Sequence, residues 1–200
     1  MAGVRRDPGP RRANAGRVSR VILVRHAMPD VEPGVASKLW GLGEAGREDC
    51  VLLAHALPEG VSSIWSSDER KAKETADVIG LRLGLPVSTD ERFAEVDRPS
   101  VWDRDYREVA AGYLSGRDEP GWEARASVVS RFSEAIDFAG QSSELPVVVS
   151  HGLATTLWLA SRTGINSEPW WRELTLPDAW QIDTTTGELS HLWMGGTRGD

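Results

Sequence analysis

A chain of 200 residues with 40% apolar side chains is sized for one domain with a real core, and its formal charge of −7 disfavours nucleic acid and anionic membranes as partners. The lone cysteine, Cys50, excludes an internal disulfide and a cysteine metal cluster, and no window approaches the roughly 20 apolar residues of a membrane span. The apolar run Val21–Val24 is too short for a secretory signal core of about 7–15 residues, so a cytoplasmic enzyme is expected.

Residues 1–17 carry Arg5, Arg6, Arg11, Arg12 and Arg17 against Asp7, with Pro8, Pro10 and almost no apolar content. They are read as a disordered basic tail, and residues 18–200 as a single catalytic domain. The domain then holds 18 basic and 29 acidic residues, so a phosphorylated substrate would need a local cationic pocket.

In chain order, Val18–Val24 is a β-branched run suited to a buried strand, ending at Arg25-His26. Pro29 stops that strand from continuing. Ala45, Leu52, Leu53 and Ala56 give helical spacing over 43–57, closed by Pro58 and Gly60, and Val61–Trp65 is a second strand. Ser66 and Glu69 form the Ser-x-x-Glu pattern of a capping box, opening a helix whose face is Ala72, Ala76, Ile79 and Leu83. Pro86–Ser88 is a brief third strand, and 89–101 is a polar loop. Helices are predicted over 103–114 and 122–139, the second with the stripe Ala126, Val129, Phe132, Ser133 and Ile136. Pro146–Ser150 is another buried strand, and Gly152 opens a helix to about Ser161. Trp180–Asp183 and Leu189–Trp193 flank Gly187 as a hairpin. The expected fold is α/β: a three-layer sandwich with a largely parallel central sheet, one antiparallel edge strand and helices on both faces.

His26 and His151 each lie just past the C-terminal end of an apolar strand, the edge at which α/β sheets form ligand clefts. Either alone reads as well as a core histidine; two at one edge, with Arg25 adjoining, point to an anion site. Arg70 falls at a helix start, where the dipole favours an anion over a cation. Either it neutralises a bound anion, or it pairs with Glu69, Glu74 or Asp77.

Arg25-His26, the stretch Ser66–Ala76 and Ser150-His151-Gly152 stand in order along the chain. This set resembles the histidine phosphatase superfamily, the phosphoglycerate-mutase-like fold. Its members carry a strand ending in Arg-His-Gly, a helix start reading Ser-Ser-x-x-x-Arg-Ala-x-x-Thr-Ala, and a strand ending in Ser-His-Gly. The resemblance spans about residues 18–195. It implies a metal-independent phosphomonoesterase needing no cofactor and acting on a small phosphorylated substrate. In it His26 is the nucleophile, Arg25, Arg70 and His151 hold the phosphate, and an acid in the 90–98 loop protonates the leaving group. Glu95, two places after Phe93, best fits the family's Leu-x-Glu, with Glu91 and Asp97 as neighbours. The chemistry agrees with these roles. A neutral imidazole is a good nucleophile near pH 7, phosphohistidine splits one hard step into two, and two guanidinium groups with an imidazolium can meet the transferring charge.

The sequence also departs from the pattern. Ala27 replaces the glycine, Met28-Pro29 follows, and the usual Trp-Asn is missing, leaving Asp30, Ser37 and Lys38 as candidates for its phosphate contact. Arg98, Pro99, Trp102 and Tyr106 are candidates to line the leaving-group side. Loops around 28–40, 96–120 and 164–178 are expected to set specificity. His55 and His191 lie outside any motif. The alternatives are a phosphoglycerate mutase, for which the chain is short, and a catalytically inactive phospho-ligand binding module. A metallohydrolase through His26, Asp30 and His151 lacks the usual ligand spacing, and a serine hydrolase through Ser150 lacks Gly-x-Ser-x-Gly. Oligomeric state is not legible.

Overall fold

The computed structural model describes residues 19–99, 105–141, 143–193, 195 and 197–198. The basic tail, Trp102 and the first residues of the helix predicted at 103 lie outside the described residues. The chain runs β1 (Arg20–Arg25), α1 (Glu44–Ala56), β2 (Ser63–Ser66), α2 (Arg70–Leu83), β3 (Val87–Thr89), α3 (Tyr106–Leu114), α4 (Arg125–Ala139), β4 (Pro146–Ser150), α5 (Gly152–Thr163), α6 (Ser167–Glu173), β5 (Thr175–Leu176), β6 (Asp178–Asp183), β7 (Leu189–Trp193) and β8 (Thr197–Arg198).

Six strands form one sheet in the order β3-β2-β4-β1-β6-β7, and β5 pairs with β8 separately. β3, β2, β4 and β1 are parallel, whereas β6 runs antiparallel to β1 and β7 antiparallel to β6. The antiparallel edge is therefore the expected hairpin, with Gly187 at φ 77° in its turn, where a side chain would be strained.

Period-two alternation sends β1 side chains to both faces. Val21 and Leu23 pack with Phe93, Phe132, Leu153 and Trp158 under α4 and α5. Ile22 and Val24 pack with Leu53, Ala72, Ala76 and Ile79 under α1 and α2. The three-layer expectation holds, and both cores end at the edge where β1 and β4 stop.

Several local expectations change. α1 buries Gly46, Cys50, Leu53 and Ala54, while Leu52 is 54% exposed. Apolar residues crowd 50–57 on every side, so spacing alone does not select the face. α4 starts at Arg125 because Glu123 is held outside it, its N–H on Asp97 O and its carboxylate on Arg131. The buried face is accordingly Val128, Phe132, Ala135, Ile136 and Ala139, with Ala126 exposed. Within 164–178, expected as a loop, α6 forms with Pro169 in its first turn, where a missing N–H costs nothing. The capping box does not form: α2 begins at Arg70, with Glu69 as an N-cap whose side chain makes no capping bond.

Candidate active site

The sheet register brings the two histidines together. Arg25 of β1 pairs with Ser150 of β4, and His26 N–H donates to Ser150 O at 3.0 Å. The next residues, His26 and His151, therefore leave neighbouring parallel strands side by side. Their ring centroids are 5.2 Å apart at 62°, and both side chains are buried.

His26 Nδ1 lies 2.8 Å from Ala27 O. A carbonyl can only accept, so Nδ1 carries the hydrogen and Nε2 keeps its lone pair. Burial pushes the His26 imidazole well below its ordinary range, and His151, Lys71 and Arg25 push it further; the Ala27 bond opposes them weakly. His26 is thus a neutral base with a defined tautomer. Ala27, in the place of the family's glycine, is buried, and its N–H donates to Thr75 Oγ1 at 3.0 Å, which ties this turn to α2.

His151 is the N-cap of α5, and its Nε2 lies 2.9 Å from Ser67 Oγ and 3.5 Å from Glu69 Oε1. Burial, followed by the cations Lys71, Arg98, Arg131 and Arg25, lowers its pKa well below the ordinary range. These effects favour the neutral ring over the imidazolium that the resemblance implies for binding phosphate. Its Nδ1 is buried with no hydrogen-bond partner.

Arg25 is fixed by Nη1 bonds to Leu174 O at 3.1 Å and Thr175 O at 3.4 Å, while its buried Nε has no partner. It packs against the start of α5, where a Cβ on Gly152 would stand 3.3 Å from that Nε and 3.1 Å from Trp171 Nε1. Glycine here lets the guanidinium meet the helix terminus. Burial lowers the Arg25 pKa, against which Tyr106, Glu95 and Asp178 act.

Arg70 is not brought to the histidines. Its side chain is 57% exposed and lies along Glu74, Nε to Oε1 at 2.8 Å, with Nη1 3.4 Å from Leu39 O. The α2 cation whose charge reaches both rings is Lys71. It is buried, its Nζ bonds Ser37 O at 2.9 Å and Glu69 Oε2 at 2.5 Å, and its charge depresses both imidazoles. A signal for it exists in the sequence. Held in strict register by Ser66-Ser67, Ala72 and Thr75-Ala76, the helix-start pattern puts its arginine position on Lys71, whereas matching the residue type selects Arg70.

Glu95 lies at the start of α5: Oε1 accepts from Ala154 N and Val96 N, each at 2.9 Å, and Oε2 from Leu153 N at 3.2 Å. Of the residues considered for the missing Trp-Asn contact, Ser37 enters through its carbonyl on Lys71, and Asp30 and Lys38 are exposed. Arg98 stacks on Tyr106 at 4.8 Å and Trp122 at 5.6 Å. Ser150 Oγ is buried and donates to Phe93 O at 2.7 Å, which removes it as a nucleophile. His191 pairs with buried Asp178 at 2.7 Å and stacks on Trp180; His55 is exposed on α1. Among the described residues, no three His, Cys, Asp or Glu side chains gather as a metal site. No described helix is long and apolar enough to cross a membrane.

Comparison with known proteins meets this geometry. The family model for the histidine phosphatase superfamily, branch 1, matches residues 21–183. The glucosyl-3-phosphoglycerate phosphatase of Mycolicibacterium vanbaalenii is 30% identical over 178 residues, covering 77% of this chain and 78% of its own. A probable phosphoglycerate mutase GpmB of Yersinia enterocolitica is 26% identical, covering 88% and 95%. Among solved structures, a mycobacterial glucosyl-3-phosphoglycerate phosphatase superposes with a TM-score of 0.66 at 21% identity, over 91% of this chain and 99% of that one. Bacillus stearothermophilus YhfR gives 0.67 at 18% identity, over 89% and 97%.

Proposed function

The chain belongs to the histidine phosphatase superfamily as a phosphatase, and from that premise we propose that it hydrolyses phosphomonoesters, without a metal, through a phosphohistidine on His26. The observation that carries the reading is the Nδ1 bond to Ala27 O, which leaves Nε2 as an unprotonated nucleophile beside buried cations. Arg25, Lys71 and His151 hold the phosphate; in this reading Lys71 takes the place expected for Arg70. Each charge-assisted bond is worth about 1.5–3 kcal/mol, enough for a cationic pocket to outweigh the acidic background. The unpartnered Arg25 Nε and His151 Nδ1 are donors, or potential donors, that phosphate oxygens would satisfy. Binding a dianion would also offset the field of Lys71, Arg98 and Arg131 on His151 and favour its protonation.

In the first step Nε2 attacks phosphorus while the ester P–O bond breaks and the leaving oxygen receives a proton from a carboxyl of the site. In the second, water attacks the phosphohistidine and releases phosphate. The family resemblance selects Glu95 for this role, and a second carboxyl, Glu69, stands 3.5 Å from His151 Nε2. Residues 18–200 form the catalytic domain, and the basic tail takes no part in the chemistry.

The Mycolicibacterium relative makes glucosyl-3-phosphoglycerate the first natural substrate to assay. Phosphate release from it and from p-nitrophenyl phosphate is expected to persist in excess EDTA, with interconversion of phosphoglycerates far slower. Dominant mutase turnover, or complete loss of activity in EDTA, would contradict the reading.

A further inference from the structure

Asp178 is a buried carboxylate in none of the sequence motifs, and the phosphate chemistry above does not use it. A charge taken out of water persists only with partners, and those of Asp178 lead to Arg25. In the sheet, Asp178 of β6 stands opposite Arg25 of β1. Its Oδ2 accepts from Thr175 N–H at 2.9 Å, and its Oδ1 lies 2.7 Å from His191 Nε2. His191 is itself held flat against Trp180, with ring centroids 3.9 Å apart at 4°. The N–H that Oδ2 receives belongs to the peptide joining Leu174 to Thr175. The carbonyl of that same peptide, Leu174 O, accepts from Arg25 Nη1 at 3.1 Å. A trans peptide is planar, and its N–H and C=O point in opposite directions. One rigid group therefore has Asp178 at one end and the guanidinium at the other. Turning that peptide over would aim its N–H at the guanidinium, and Asp178 opposes the turn by holding the N–H. Thr175 O adds the second Nη1 contact at 3.4 Å.

We propose that Asp178 is the positioning residue of Arg25. Through the Leu174–Thr175 peptide it fixes the direction in which the guanidinium offers its Nε, a buried donor without a partner, to a phosphate oxygen. His191 secures the carboxylate by occupying Oδ1, which leaves Oδ2 for the peptide. This assignment rests on the reading of Arg25 as a phosphate ligand. Charge acts in the same direction as geometry: burial lowers the Arg25 pKa, and Asp178 is among the groups that oppose it. Hydrogen bonds in series also polarise one another, so the bond from Thr175 N–H to Asp178 strengthens the one from Arg25 Nη1 to Leu174 O. The clamp is thereby ordered before phosphate arrives. An arginine ordered only on binding would give up part of its affinity to side-chain entropy.

The test is the Kd of inorganic phosphate, read by titration calorimetry in single and double variants. Asp178→Ala is expected to weaken phosphate about 10-fold, and Arg25→Ala about 10- to 100-fold. In the Arg25→Ala background, Asp178→Ala is expected to change Kd by less than about threefold, because the carboxylate acts through the guanidinium. Asp178→Asn keeps a side-chain carbonyl for Thr175 N–H and an amide for His191 Nε2. It is expected to bind phosphate within about threefold of the wild type. An unchanged Kd in Asp178→Ala, losses that multiply in the double variant, or an asparagine variant as weak as the alanine one overturns the assignment. Should Asp178→Ala not fold, Asp178→Val, whose side chain suits a buried strand, is read against the same outcomes. If Arg25→Ala binds phosphate as the wild type does, the reading of Arg25 as a phosphate ligand falls, and this assignment with it.

Discussion

The ends of β1 and β4 and the start of α2 supply the proposed phosphate pocket by different rules. At the strand ends, the parallel pairing of Arg25 with Ser150 decides where His26 and His151 go. A slip of one residue would turn every side chain of a strand to the other face and break two cores at once. At α2, placement depends on which residue is the first in the helix, and successive side chains there diverge by about 100°. Arg70 and Lys71 show the consequence: one lies exposed along Glu74, and its neighbour is buried, bonded to Ser37 O and Glu69, with its charge felt by both histidines. Sheet register tolerates no error, whereas a helix start can exchange one cation for another by moving one position.

The comparison is sharpest in paired substitutions. Lys71→Ala is expected to lower kcat/KM about 10- to 100-fold, the value of one lost charge-assisted bond, while Arg70→Ala changes it by less than about threefold, as exposed ion pairs do. Steady-state kinetics on p-nitrophenyl phosphate checks both; equal losses would return Arg70 to the pocket.

The same pair separates in pH dependence. Activity of the free enzyme needs neutral His26, whose pKa is pushed well below 6.5 by burial, His151, Lys71 and Arg25, so the acid limb of kcat/KM should lie well below pH 6.5. Removing the Lys71 charge favours the imidazolium, raises that pKa and moves the limb upward. Arg70→Ala should leave it in place.

The two regions meet at Thr75, whose Oγ1 accepts from Ala27 N at 3.0 Å and donates to Lys71 O at 2.8 Å. Thr75→Ala leaves a buried N–H unpaired beside His26 and is expected to cost about 1–3 kcal/mol in denaturant unfolding. An unchanged midpoint would mean that the strand ends hold His26 without help from α2. The smallest effect is expected at Cys50. Its thiol is fully buried and pushed up to about 12, chiefly by burial, so thiol reagents should modify it only after unfolding.

How much of this the sequence discloses follows from the same contrast. Short β-branched runs ending in Arg-His and Ser-His are legible because a buried strand has one composition and one place to end. The start of α2 was not legible in this way. Ser66 and Glu69 match a capping box, yet Ser66 Oγ donates to Ser67 O at 2.8 Å and Glu69 turns to Lys71. The capping pattern describes local bonds, and a buried ammonium outcompeted them. The surroundings of Glu95 are not legible in the sequence, since Leu153 and Ala154 lie some 60 positions along the chain. α6 is seven residues long with Pro169 inside it, too short for apolar spacing to distinguish it from a loop.

The claim that a neutral His26 receives the phosphoryl group on Nε2 is tested most directly by quenching the enzyme under alkaline conditions during turnover. The modified peptide is then mapped, and the phosphorylated ring nitrogen identified by NMR. Phosphate on Nε2 of His26, absent from His26→Ala, is the predicted result. Phosphate on His151 or Ser67, or turnover that leaves no phosphorylated peptide, would contradict it.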